Sequence, residues 1–246
     1  MKNNRQKYRK TLALISLLLL PITISYISPI AIAKGAEAGI LGMSIIITVA
    51  IFISSLFFGR IWCSYLCPVG GVQEAYFKLK LKKASNRFNW LKVLFWIPWL
   101  GIIAIGLLKV GGFNIVDPLF MTKNGVSILH PGVLPVYYVL ITSTLLMSLI
   151  FGRRAFCHYG CPISFFPVLA LKIRDVFKLP SLRIAGSKDK CKECGACVKA
   201  CPMSHNITLN VQHGRQQYIT ECINCAECID ACPNSALYFS WTKPRS

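Results

Sequence analysis

Residues 190–202 read KCKECGACVKACP, and residues 221–233 read ECINCAECIDACP. Each stretch follows C-x2-C-x2-C-x3-C-P: Cys191, Cys194, Cys197 and Cys201 before Pro202, then Cys222, Cys225, Cys228 and Cys232 before Pro233. Matched positions are 31 residues apart, so the stretch is an internal duplication. This spacing is the one bacterial ferredoxins use for [4Fe–4S] clusters. Three thiolates on a tight loop cap three irons of a cubane. The fourth Cys points to the other cluster, and Pro turns the chain. Cluster one is therefore expected on Cys191, Cys194, Cys197 and Cys232, and cluster two on Cys222, Cys225, Cys228 and Cys201. Zinc takes separated pairs of ligands and does not explain two matched quartets. A domain this small has little apolar core, so the clusters are expected to supply much of its folding energy.

Outward from this stretch the chain changes character. Its 246 residues carry 28 Lys+Arg against 9 Asp+Glu, a net charge of +19, yet 54% are apolar and only 15% charged. Basicity alone suggests nucleic acid; basicity with this apolar content suggests a membrane instead. Four nearly uncharged runs reach spanning length, about 20 residues: 11–33, 39–59, 91–110 and 133–151. Pro21 and Pro29 predict a kink in the first. Ala31-Ile32-Ala33 resembles a signal-peptide cleavage site, but the run is longer than such segments need, and a retained anchor is expected. Only Lys34, Lys109 and Lys123 fall on one side of the four runs; the other Lys and Arg fall on the opposite side. Cytoplasmic loops carry the Lys/Arg excess, which predicts a cytoplasmic N-terminus and C-terminal half. On the same side, residues 72–83, VQEAYFKLKLKK, suit a headgroup-facing segment.

Two more Cys pairs stand where the second and fourth runs end. Phe58-Gly59-Arg60-Ile61-Trp62-Cys63 leads to Cys67-Pro68, and Phe151-Gly152-Arg153-Arg154-Ala155-Phe156-Cys157 leads to Cys161-Pro162. Both contain FGR, an aromatic before the first Cys, and CxxxCP. The second has one extra residue. The membrane half thus reads as two copies of a hairpin-plus-motif unit, whose like orientation implies an axis along the membrane normal. On a helix, positions i and i+4 share a face, so each pair is expected to present its thiols together. Three readings compete for Cys63, Cys67, Cys157 and Cys161: a third metal centre held jointly, dithiol–disulfide cycling, or plain packing. Arg60 and Arg153 are expected to lower the thiol pKa. His158 is expected as an exposed interfacial residue, Asp117 and His130 as parts of a solvated loop, and Glu74, Arg60, Asp175 and Arg174 as ion-paired or solvated. His205 and His213 fall between the quartets without an evident role.

The runs, the two CxxxCP motifs preceded by Gly-Arg, and the double quartet together resemble the NapH/MauN family of ferredoxin-type membrane proteins, over nearly the whole chain. The CxxxCP repeats are more remotely similar to those of NosR-type and CcoG-type proteins. The resemblance implies a plasma-membrane electron-transfer component, with quinone as a possible substrate. A periplasmic iron–sulfur protein or reductase is implied as partner.

The expected architecture is an α-helical membrane domain, residues 1–180, followed by a cytoplasmic α+β ferredoxin domain, residues 181–246. The expected function is a quinol dehydrogenase-type relay through two [4Fe–4S] clusters, without nucleic acid. Two alternatives stay open: a thiol or metal reductase (or cofactor-maturation factor) working through the CxxxCP cysteines, and a non-enzymatic anchor for a larger redox complex.

Overall fold

The computed structural model describes residues 2–76, 82–85, 88–212 and 221–243. The first expected span is a broken path. Helix α1 (Lys2–Leu18) is followed by α2 (Leu20–Thr23) and a 3-10 turn (Ile24–Ile27), the two parts meeting at 60°. Pro21 removes an N–H at the break, which accounts for the bend. A second break follows at Ser28, whose hydroxyl accepts from the amides of Ile30 and Ala31 and so caps α3 (Pro29–Ala38). Proline at the first helical position and a serine cap are a strong start signal. A helix start inside 11–33 is why the uninterrupted span does not form.

The chain then pairs β1 (Ile40–Leu41) in parallel with β2 (Ile115–Val116), at the far end of the helices. Between them lie α4 (Met43–Phe58), α5 (Ile61–Tyr65), α6 (Pro68–Tyr76) and α7 (Leu91–Val110). Then come α8 (Val133–Phe151), α9 (Ala155–Tyr159) and α10 (Phe165–Val176). The third and fourth expected spans coincide with α7 and α8. These are long and apolar enough to cross a membrane, and the bent α1–α2 pair is a third candidate. Helix α4 is apolar but has 16 residues. Large side chains along α7 and α8 face outward, Leu108 at 83% exposure, as lipid-facing helices require. Of the expected headgroup segment, residues 77–81 lie outside the described residues.

The internal repeat is visible in the packing. Helix α10, after the second motif, packs on α4, before the first; α6, after the first motif, packs on α8, before the second. Each copy thus lends its last helix to the other. Gly59 and Gly152 end α4 and α8 with φ of +67° and +103°. A Cβ there would meet the Asn224 side chain and the Lys82 carbonyl respectively; glycine alone fits both backbone and neighbour.

The C-terminal part is α+β. Strand β3 (Ser181–Gly186) pairs antiparallel with β4 (Leu237–Thr242), in register from Ser181↔Thr242 to Gly186↔Leu237. Short helices α11 (Ala196–Ala200), α12 (Ile207–Gln212) and α13 (Glu227–Asp230) complete it. Its core joins Ile184, Met203, Ile207, Ile223 and Leu237 with the cysteines themselves.

Candidate redox centres

The duplicated sequence makes duplicated backbone. Glu193 and Asn224, Gly195 and Ala226, and Ser204 and Ser235 are each equivalent pairs, and all six have positive φ. Left-handed residues next to right-handed ones turn successive N–H groups to one side, making the concavity that many iron–sulfur sites use. The fourth Cys of each quartet accepts a backbone N–H from the residue four positions on: His205 to Cys201 at 3.4 Å and Ala236 to Cys232 at 3.3 Å.

The side chains converge in two groups. Cys201, Cys222, Cys225 and Cys228 line one hollow. Cys191, Cys194, Cys197 and Cys232 line another. Each hollow takes three cysteines from one repeat and the fourth from the other, and the donors fit a [4Fe–4S] cubane in each. Among the described residues no three His, Cys, Asp or Glu stand at the spacing of ligands around one metal ion. A cubane presents a separate iron to each thiolate, so its ligands stand farther apart. Burial pushes the Cys222 thiol up to about 11 and the Cys225 thiol up to about 12. A cluster therefore displaces protons when it binds. The groups differ in exposure: Cys201, Cys225 and Cys228 are buried, whereas Cys194 is exposed.

The four membrane-edge cysteines come together. Cys63, Cys67 and Cys161 share the wall of one cavity, and Cys157 is close enough to Cys67 and Cys161 to raise their thiol pKa values. They do not sit as paired positions of one helix. Cys63 and Cys157 lie in α5 and α9, but these helices stop at Tyr65 and Tyr159, and Cys67 and Cys161 follow their ends. Pro68 and Pro162 then start new helical turns. Burial raises the Cys157 thiol, outweighing the downward pull of Arg154 and Arg60, whereas the sequence predicts a thiol lowered by Arg60 and Arg153; Cys161 is pushed up to about 12.

The geometry also realigns the motif. Arg60 and Arg154 both stand three residues before the first Cys, and both are 1% exposed. Arg153 is the extra residue, and its guanidinium reaches the Lys199 carbonyl. The insertion is absorbed at Arg154, which takes φ +51° where Arg60 has −86°. The shared pattern is thus R-x-[WF]-C-x-Y-x-C-P. Arg154 donates to the Cys63 carbonyl at 3.3 Å, and Gln73 donates to the Cys157 thiol at 3.2 Å, so each copy braces the other. The Nε atoms of both arginines are buried without a hydrogen-bond partner among the described residues. Four thiolates and two inward cations suit an anionic metal–sulfur group.

Carboxylates hold these arginines. Glu74 accepts from Arg9 and Arg154, each at 2.8 Å. Glu221 pairs with Arg60 at 2.7 Å and with Lys92. Burial would raise both carboxyls, but the cations overcome it and hold each at about 2. The N-terminal helix is drawn in too: Arg5 pairs with Asp230, Arg9 with Glu227, and Gln6 donates to the Cys225 carbonyl. Asp175 pairs with Arg174 and Arg183.

Beside the four cysteines lies an apolar cavity of about 410 Å³ among the helices. Trp62, Phe156, Phe95 and Trp99 line it with Leu140, and Cys63, Cys67 and Cys161 form part of its wall. Periodicity in the sequence carries no sign of it, because its lining comes from six separate segments.

Family models match this layout. One described as a 4Fe-4S binding domain matches residues 40–87 and again 133–180; a 4Fe-4S dicluster domain matches 183–233. The methylamine utilization ferredoxin-type protein MauN of Paracoccus denitrificans is 29% identical over 61% of this chain and 50% of its own length. MauN of Methylorubrum extorquens is 27% identical over 77% of this chain and 63% of its own. These matches support a ferredoxin-type protein of the NapH/MauN family. The chain spans between half and two thirds of the length of these two relatives. An uncharacterised protein of Methanocaldococcus jannaschii is 26% identical over 87% of both chains. No solved structure matches. The matched domains are iron–sulfur domains, and α7 and α8 are long and apolar enough to cross a membrane.

One histidine departs from its sequence expectation. His158 is fully buried, not interfacial: its Nε2 lies 3.1 Å from the Met203 carbonyl and its Nδ1 3.2 Å from Asn89. Burial drops its pKa to about 3, so the neutral ring pins the second motif to the segment after Cys201. His205 is buried beside it, the rings 6.1 Å apart. His213 lies outside the described residues. Asp117 and His130 form loop contacts at the far end, Asp117 accepting from the Leu119 amide.

Proposed function

We propose that this protein is a plasma-membrane relay with four spans, its N-terminus and ferredoxin half cytoplasmic. It takes electrons from quinol and delivers them to a partner redox protein. The observation that carries this reading is the apolar cavity walled by Cys63, Cys67 and Cys161. Its volume falls in the range of small-molecule sites, about 300–1,000 Å³, and its aliphatic and aromatic lining suits a ring with a hydrocarbon tail. Trp62 and Phe156 shield the thiols from water on that side. Cys63, Cys67, Cys157 and Cys161 would hold a third centre, with Arg60 and Arg154 offsetting its negative charge. Cys222, Cys225, Cys228 and Cys201 would hold the buried ferredoxin cluster, and Cys191, Cys194, Cys197 and Cys232 the outer one. Iron–sulfur clusters, when bound there, supply one-electron steps, matching the two electrons of quinol, whose two protons pass to water. Because Cys63, Cys67 and Cys161 form part of the cavity wall, electrons need not cross about 30 Å of hydrocarbon to reach them. Burial raises the Cys67, Cys157 and Cys161 thiols, which counts against dithiol cycling.

The test is anaerobic mixing of the detergent-solubilised, iron-loaded protein with a short-chain quinol. Cluster absorbance should bleach, and Leu140→Trp, which fills the cavity, should slow bleaching about tenfold through an overpacking cost of about 1–3 kcal/mol. Cluster-loaded protein that does not bleach refutes the quinol reading. Iron content should fall from about twelve to about eight per chain in Cys63→Ser/Cys157→Ser, one cubane being lost. About eight in the parent chain refutes the third centre.

A further inference from the structure

The two ferredoxin repeats share backbone but not charge. Lys190 occupies the position equivalent to Glu221, and Lys199 the position equivalent to Asp230. Around the buried group of cysteines, the acidic residues face the basic edge of the membrane half: Glu221 meets Arg60 and Lys92, Asp230 meets Arg5, and Glu227 meets Arg9 and Lys10. Around the outer group the signs are reversed and the side chains are exposed. Lys188, Lys190, Lys192 and Lys199 all face solvent, against Asp189 and Glu193, and Cys194 is exposed among them. Neither Lys190 nor Lys199 enters an ion pair among the described residues.

One repeat therefore contains a worked case of how this backbone docks: complementary charges at two equivalent positions, with the cluster ligands between them. We propose that the first repeat docks a soluble one-electron carrier protein by the inverse of that contact. Carboxylates on the carrier meet Lys190 and Lys199 as Arg5 and Arg60 meet Asp230 and Glu221. Cys194 marks the closest approach to the cluster. Complementary charge of this kind chiefly sets encounter rate and orientation. The inference rests on the reading that electrons leave through the outer cluster, and it is independent of whether quinol supplies them.

The test measures binding rather than turnover. Iron-loaded protein in neutral-lipid nanodiscs is titrated into fluorescently labelled acidic flavodoxin and, separately, labelled basic cytochrome c, and anisotropy is followed. Flavodoxin should bind, its affinity falling about tenfold between roughly 50 and 200 mM salt as screening shortens the reach of the charges. Cytochrome c should not bind. Lys190→Glu/Lys199→Glu should weaken flavodoxin binding about tenfold or more and favour cytochrome c, with cluster absorbance at the parent level. Lys190→Gln/Lys199→Gln, which adds no new charge, should give a smaller loss in the same direction and serves if the reversed variant loads poorly. Salt-independent binding, equal binding of both carriers, or variants that bind like the parent overturn the proposal. So does a loss seen only as weaker association with anionic vesicles.

Discussion

The two membrane-edge motifs are near copies whose arginines are tied to different parts of the molecule. Arg154 is held by Glu74, seven residues past Cys67 in the other copy, together with Arg9 from the first helix. Arg60 is held by Glu221, one residue before the second ferredoxin quartet, together with Lys92. The Arg154 hub therefore gathers membrane-half residues and reaches the ferredoxin half only through Arg9, which also pairs with Glu227, whereas the Arg60 hub contains a ferredoxin carboxylate directly. A duplicated local motif fixes where each arginine sits; the distant carboxylate decides what that arginine joins.

Removing Glu74 is the strongest way to break this division. Glu74→Ala leaves Arg9 and Arg154 buried without that carboxylate, and losing one partner of a buried pair costs about 3–5 kcal/mol. Thermal unfolding in detergent should show a large fall in Tm for the whole chain. A Tm within a degree of the parent would break the comparison.

Glu221→Ala leaves Arg60 buried without its carboxylate and should cost about 3 kcal/mol, the lower end of that range, with its effect centred on the joint to the ferredoxin half. Limited proteolysis should then release the ferredoxin half sooner than in Glu74→Ala. If the two variants fragment alike, the two hubs are not separate.

The smallest effect distinguishes Arg153 from Arg154. Arg153→Gln should change stability by less than about 1 kcal/mol, as for most surface positions. Arg154→Gln should cost several times that, since it strips one buried cation from Glu74. Equal effects would restore Arg153 as the partner of Arg60.

Much of this was legible in the sequence. The quartet spacing alone separates the eight ferredoxin cysteines into the two groups that line separate hollows, because a duplicated loop imposes the same local turn twice. Helices α7 and α8 were legible because an apolar run bounded by glycine or charge leaves little choice of ends. The kink expected in the first run appears twice, as a 60° bend before Pro21 and as the new helix that Ser28-Pro29 starts, a local signal stronger than mean apolarity. Arg154 was misaligned because FGR invites matching at Arg153, whereas burial depends on the distance to Cys157. Glu74 is expected from the sequence to be ion-paired or solvated, but its partners, like those of Glu221, lie 65 to 161 residues away, and only tertiary packing brings them together. The extent of the cavity is illegible for the same reason.

The contact between α1 and the second ferredoxin repeat also constrains how the molecule is made. Arg5 and Arg9 leave the ribosome early, but Asp230 and Glu227 come more than two hundred residues later. These basic side chains are therefore made long before their carboxylates, and the ionic seam between α1 and the ferredoxin half can close only after the last quartet has been synthesised.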